Sequence, residues 1–186
     1  MIITLARHAE VDKRYLGAYN GHNNISLSKE GYIQAETLAK KFENHNFDAY
    51  YCSDLLRARE SFKPFKKDAI YTPKLREKSW GRHEGMSFDE IVKSENINYE
   101  NFEQWLSVLD GEDYREFIHR VETLFMHELN NTAYNNIFVM THSGVIKALF
   151  YIIKKIPLQE AFSQKIGYAQ YIVLDTTKAL FLKENI

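Results

Sequence analysis

Asn136-Ile137-Phe138-Val139-Met140-Thr141-His142-Ser143-Gly144 runs from an unbroken apolar stretch directly into a histidine, a serine and a glycine. An apolar run of this length, bounded by polar residues, reads as a strand buried on both faces. Gly144 through Lys155 then reads as a helix. The chain opens in the same way, with Ile2-Ile3-Thr4-Leu5-Ala6 followed by Arg7-His8-Ala9-Glu10. A third junction, Asp48-Ala49-Tyr50-Tyr51-Cys52, leads into Ser53-Asp54-Leu55-Leu56-Arg57, with Ser53 as the expected cap of the next helix.

Between these junctions lie helices. Ser28 caps a stretch in which Ala35, Leu38, Ala39 and Phe42 recur at helical spacing. Asp113 with Glu116 forms an acidic capping box ahead of an apolar face made by Phe117, Val121, Leu124, Phe125 and Leu129. Ala69-Ile70-Tyr71 is a short strand. Tyr171-Ile172-Val173-Leu174 and Ala179-Leu180-Phe181-Leu182 flank a turn at Asp175-Thr176-Thr177 and form a terminal strand pair. Strands alternating with helices predict an α/β fold, a three-layer αβα sandwich around a mostly parallel central sheet.

The 186 residues suit one domain, residues 1–186, and 45% hydrophobic with 26% charged residues is the profile of a packed globular chain. Lys plus Arg total 24 against 25 Asp plus Glu, so net charge −1 gives no case for nucleic acid or an anionic membrane as partner. Cys52 is the single cysteine, which excludes an internal disulfide and suggests a reducing compartment. The sequence shows no apolar run of membrane-spanning length and does not open like a signal peptide, so a cytoplasmic location is expected.

In sheets of this kind, ligands bind beyond the carboxyl ends of the strands. There the three junctions deliver Arg7 with His8, Arg57 in the first turn of a helix, and His142. Guanidinium forks bind phosphate oxygens bidentately, and helix N-termini favour anions. A neutral imidazole can attack phosphorus, splitting one hard displacement into two easier ones. A second histidine, protonated beside the phosphate, can stabilise charge on the transferred oxygens. The leaving oxygen needs a proton, and a carboxylic acid beside a dianion can hold one near neutral pH.

The ordered motifs resemble the histidine phosphatase superfamily, which includes phosphoglycerate mutases and many small phosphatases. Leu5 through Glu10 is similar to that family's opening R-H-G-E motif, continued by Gly17, Tyr19, Gly21, Leu27, Ser28 and Gly31. Ser53 through Ala58 resembles its S-x-L-x-R-A segment. Leu75-Arg76-Glu77 with Gly81, Glu84 and Gly85 resembles the stretch supplying the acid, Gly111-Glu112 a further turn, and Val139 through Gly144 the second histidine segment. The resemblance implies a phosphoglycerate mutase-like fold and a metal-independent phosphomonoesterase of the histidine acid phosphatase type, with no cofactor. His8 would be phosphorylated, Arg7, Arg57 and His142 would hold the phosphate, and Glu77 would donate the proton.

Departures from the family pattern are Ala9 for a glycine, which costs energy if that position needs positive φ, Arg14 for an asparagine, His83 for a tryptophan, and Ser143 and Lys147 for glycine and arginine. Arg14, Tyr19, Asn20, Arg82, His83 and Ser143 are the candidates for meeting the rest of a small phosphorylated metabolite. Residues 88–109 are expected to form a small cap, with Trp80, Phe102 and Trp105 as lid contacts. Chain length and the Tyr19–Ser28 segment resemble the short α-ribazole phosphatases within the family, which would make α-ribazole 5′-phosphate a substrate.

Other readings compete. Phosphoglycerate mutase activity uses the same intermediate but must exclude water from it. A catalytically silent phospho-ligand-binding protein finds its support in Ala9. A metal site from His8, His83 and His142 lacks any H-E-x-x-H, cysteine cluster or Asp-x-Asp. Glu84 is the runner-up acid, and Glu77 could instead pair with Lys78 or Arg82. His22, His45, His119 and His127 read as surface residues, and Cys52 as a small buried hydrophobe.

Overall fold

The computed structural model describes the backbone of residues 1–185 and the side chains of residues 1–183; Ile186, the last residue of the expected domain, lies outside the described residues. Six strands, β1 (Ile2–Arg7), β2 (Ala49–Ser53), β3 (Ile70–Thr72), β4 (Asn136–Thr141), β5 (Tyr171–Asp175) and β6 (Leu180–Asn185), form one sheet in the order β3-β2-β4-β1-β5-β6. The pairings β2 with β3, β2 with β4 and β1 with β4 are parallel, while β5 and β6 are antiparallel additions at one edge. The mostly parallel sheet read from the sequence is therefore present, together with the terminal strand pair.

Side chains alternate along the central strands and divide between two cores. Ile3, Leu5, Ile137 and Val139 pack on one face against Phe117, Val121, Leu124 and Phe125 from α5 (Tyr114–Glu122) and the π-helical turn Thr123–Glu128 that extends it. Val145, Ile146, Leu149 and Phe150 of α6 (Ser143–Lys154) and Ala161 of α7 (Leu158–Ser163) complete that face. Ala6, Cys52, Phe138 and Met140 point the other way, into Leu38 of α1 (Lys29–Lys41), Phe42, and Ala58 and Phe62 of α2 (Leu56–Phe62). Each fully buried aromatic of this kind contributes roughly 2–3 kcal/mol through area removed from water. The result is the expected αβα sandwich.

Two shorter helices, α3 (Phe88–Glu95) and α4 (Phe102–Val108), occupy the region expected to form a cap. Ile91, Trp105 and Leu106 make a separate apolar cluster with Tyr114 and Leu158, against which Tyr19 and Trp80 pack. Ser87 begins α3 with a reciprocal capping box to Glu90. Among the described residues, no helix is long and apolar enough to cross a membrane.

Most boundaries follow the sequence, with one correction. Ser28 caps α1 by accepting from the Gly31 N–H, and Asp113 caps α5. Ser53 does not cap α2. It is the last residue of β2, the N-cap position falls on Leu55, and the Ser53 hydroxyl lies 2.8 Å from the His142 ring instead.

Candidate active site

Strand register assembles the centre of the site. β1 and β4 run in parallel with Arg7 opposite Thr141, so the residues that follow, His8 and His142, emerge side by side. The His8 N–H continues the ladder to the Thr141 carbonyl at 2.9 Å, and the two imidazoles sit with centroids 5.1 Å apart. β2 pairs with β4 through Cys52 and Met140, which brings Ser53 to His142. The Thr141 hydroxyl donates to the Leu75 carbonyl at 2.9 Å and thereby fastens the segment that carries Glu77.

Both histidines are buried, and burial, reinforced by the Arg57 charge, holds each well below the ordinary histidine value of 6.5. They are therefore neutral at pH 7. The His8 Nδ1 lies 2.8 Å from the Ala9 carbonyl, which can only accept, so the proton sits on Nδ1 and the lone pair on Nε2. His142 meets the Ser53 hydroxyl through Nε2, while its Nδ1 is buried without a partner among the described residues.

Arg57 is 1% exposed and donates to the carbonyls of Asn23 (3.0 Å), Asn20 (3.2 Å) and Gly21 (2.6 Å). Burial pushes its guanidinium down to about 10, opposed by Glu77 and Glu84, and the group stays charged at neutral pH. Arg7 donates to the Ile166 carbonyl, and its guanidinium lies 3.9 Å from the centroid of the Tyr168 ring. The Nε atoms of Arg7 and Arg57 are both buried with no partner among the described residues. Three nitrogens on groups that act on or neighbour His8, those of Arg7, Arg57 and His142, are thus orphaned, and an unmade buried hydrogen bond costs roughly 1–3 kcal/mol each. An anion accepting from them would recover that cost.

Glu77 is buried, with its carboxylate accepting from the Gly144 N–H at 2.9 Å and the Lys78 N–H at 3.1 Å. A Cβ added to Gly144 would lie 1.9 Å from Glu77 Oε1, so the glycine is what lets the carboxylate approach the start of α6. Glu77 does not pair with Arg82, and the Lys78 ammonium instead donates to the Ser79 carbonyl and lies 4.1 Å from the Trp80 ring centroid.

The remaining candidates divide sharply. Tyr19, Asn20 and Ser143 line a crevice of about 410 Å³ together with Arg7, His8 and Glu77. Arg14, Arg82 and His83 do not line it. Arg14 is exposed and turns back onto Asp12 with two hydrogen bonds, and Arg82 pairs with Glu95 on α3. His83 is fully buried, accepts from the Asp110 N–H at Nδ1, and faces Glu95 at Nε2. His83 is thus spent on structure and stands apart from the His8–His142 pair. Among the described residues, no group of three or more His, Cys, Asp or Glu is placed to hold a metal ion.

Glu84, the runner-up acid, has another task. Its carboxylate accepts from the N–H groups of Gly21, His22 and Trp80 at 2.7–2.9 Å and from Asn23 at 3.4 Å. It staples two loops together. His22 is likewise not a bare surface residue, since its Nε2 meets the Glu77 carbonyl at 3.0 Å. Cys52 is buried as expected, and burial pushes its thiol up, away from nucleophilic use. Ala9 is fully buried against Leu27 and Ala35, donates its N–H to Ser61, and does not adopt positive φ, so the alanine imposes no backbone strain.

Val11, Ala18 and Tyr168 line the crevice without having stood out in the sequence, and Tyr168 is the one that touches the catalytic candidates. Tyr168 lines the crevice, packs on Arg7, and has its ring 5.8 Å from that of His8. It reaches the site because the Ala169 N–H donates to the His8 carbonyl and the Arg7 N–H to the Gln170 carbonyl. Its one trace in the sequence is an aromatic beside Gly167 just ahead of β5.

Residues 3–183 match the family model of the histidine phosphatase superfamily, branch 1. An adenosylcobalamin/alpha-ribazole phosphatase of Escherichia coli is 25% identical over 94% of this chain and 90% of its own length. Phosphoserine phosphatase 1 of Hydrogenobacter thermophilus is 25% identical over 99% and 92% respectively. The crystal structure of the alpha-ribazole phosphatase from Shigella flexneri superposes with a TM-score of 0.86 at 22% identity, covering 100% of this chain and 96% of that one.

Proposed function

The chain belongs to the histidine phosphatase superfamily, and we propose that it hydrolyses phosphomonoesters of small metabolites through a phosphohistidine formed on His8. The observation that carries this reading is the neutral His8, its proton fixed on Nδ1 by the Ala9 carbonyl, among three buried nitrogens with no partner of their own. Phosphatases of this family among its relatives support the reaction class.

In the first step, His8 Nε2 attacks phosphorus. A P–N bond forms, the ester P–O bond breaks, and the leaving oxygen takes a proton from Glu77. Arg7, Arg57 and a His142 protonated beside the incoming dianion stabilise charge on the transferred oxygens. In the second step, Glu77 takes a proton from water as the water attacks phosphorus. The P–N bond breaks, orthophosphate leaves, and His8 returns neutral with Glu77 again protonated. Ser143, on the crevice at the start of α6, adds a hydroxyl within the same lining.

The silent-binder reading rested on strain at Ala9, and that residue carries none. The alternative of a phosphoglycerate mutase is tested by a coupled assay with 2,3-bisphosphoglycerate, in which no phosphoglycerate interconversion is expected. Within the hydrolase reading, α-ribazole 5′-phosphate is the first natural ester to assay, since relatives carry that name. The broader test is orthophosphate release from a panel of monoesters in EDTA. Turnover is expected, and silence across the whole panel would sink the proposal.

A further inference from the structure

The floor of the crevice accounts for a phosphoryl group; its wall says what must be attached to it. Apart from Arg7, His8 and Glu77, every residue lining the crevice is uncharged. Tyr19, Trp80 and Phe88 supply aromatic rings to the lining. They belong to one packed unit: Tyr19 meets Trp80 edge-on at 4.9 Å, and Phe88 lies 4.9 Å from Trp105. The Tyr19 hydroxyl accepts from the Trp105 indole N–H at 3.0 Å. The backbone at Tyr19 is pinned on both sides, its N–H donating to Met86 and its carbonyl accepting from Gly85. Rings held this firmly lose little freedom when a ligand packs on them.

Among the described residues, Arg7 is the one cation in the crevice lining. Arg14 is bound to Asp12 and Arg82 to Glu95, and Lys147 of α6 does not line the crevice. A carboxylate or second phosphate on the leaving group would find no cation in the lining beyond the Arg7 that the phosphoryl group already takes, only the neutral polar groups of Asn20, Ser143 and Tyr168. A flat, uncharged group would gain offset or edge-on ring contacts.

Resting on the hydrolase reading above, we propose that this crevice selects monoesters whose leaving alcohol is uncharged and carries a planar aromatic or heteroaromatic ring. Esters bearing a carboxylate beside the phosphate, such as phosphoserine and phosphoglycerate, are disfavoured.

The test compares kcat/KM for benzyl phosphate, propyl phosphate, O-phosphoserine and 3-phosphoglycerate, all esters of alcohols, with para-nitrophenyl phosphate as an activated control. Benzyl phosphate is expected to exceed propyl phosphate by roughly tenfold, the scale of one good ring contact, and the two carboxylates to fall below both. Phe88→Ala, at an exposed rim position, is expected to reduce the benzyl-to-propyl ratio by roughly threefold or more through KM. Preference for phosphoserine or phosphoglycerate, or an equal effect of Phe88→Ala on both neutral esters, overturns the inference while leaving the hydrolase reading in place. No turnover of any ester, para-nitrophenyl phosphate included, overturns both.

Discussion

The floor and the wall of the crevice are built by different means. The floor comes from the ends of β1, β2 and β4, where a parallel register fixes which residues emerge together. Once Arg7 stands opposite Thr141, His8 and His142 have little choice of position. The wall comes from loops and the short helices α3 and α4, joined by Glu84 and by contacts among Tyr19, Trp80 and Trp105. The floor inherits its geometry from the sheet; the wall depends on side chains far apart in sequence. The proposed chemistry therefore falls on the part fixed by the sheet, and the proposed selectivity on the part that loop changes can reshape.

The largest effect expected from this division lies where the first turn of α6 touches Glu77, the proposed acid. Gly144→Ala would place a methyl 1.9 Å from Glu77 Oε1, displacing the carboxylate without touching the phosphate pocket. A displacement of this size lowers kcat by roughly a hundredfold, with far less change in the affinity for orthophosphate as a competitive inhibitor. An unchanged kcat would remove Glu77 from the mechanism.

Glu84→Ala breaks the wall directly and reaches the floor only through the Gly21–Asn23 backbone on which Arg57 rests. It strands the backbone N–H groups that Glu84 now satisfies, and the melt in urea should show a loss of about 2–4 kcal/mol. Where the variant stays folded, KM should rise more than kcat falls. A drop confined to kcat would mean that the wall and the floor are not separable in this way.

Acid sensitivity belongs to the floor. His8 and His142 are held well below 6.5 in the folded chain, so below pH 6.5 the unfolded chain takes up protons that the folded chain refuses. Stability is full above that value and falls as pH drops, by about 1.4 kcal/mol per pH unit for each histidine. His22 is shifted in the same direction. Unfolding free energies measured from pH 7 to 5.5 should decline with this sign, and His142→Asn should make the slope shallower. A flat profile contradicts buried neutral histidines.

The smallest effect is at Ala9. Since the residue is not left-handed, Ala9→Gly should not raise kcat, and it should cost up to about 1 kcal/mol through the freer unfolded chain. A clear gain in activity would show that the alanine had been restraining the site.

These two regions were not equally legible in the sequence. β1, β4 and the helix α6 could be read directly, because a strand buried on both faces is a local apolar run and its polar terminus is the next residue. His8, Arg7, Arg57 and His142 followed from that reading. Ser53 was misassigned because its hydroxyl serves a histidine 89 positions away rather than its own helix. Arg14, Arg82 and His83 looked like substrate contacts because cations on loops near a phosphate pocket invite that reading. The Arg14 partner, Asp12, is two residues away in the same turn and was open to a local reading, whereas Glu95 meets Arg82 and His83 from 13 and 12 residues away on α3, which residue spacing does not fix. Tyr168 carried no motif and became visible through backbone bonds between its loop and the end of β1.

The proposed phosphohistidine on His8 is the step on which every other role rests. Intact-mass spectrometry of the protein quenched during turnover of para-nitrophenyl phosphate in EDTA, beside His8→Ala, tests this directly. The wild type should carry one transient phosphoryl group. The variant should carry none and should turn over at least roughly a thousandfold more slowly. An adduct that persists in His8→Ala, or a variant that keeps its turnover, would contradict the central claim.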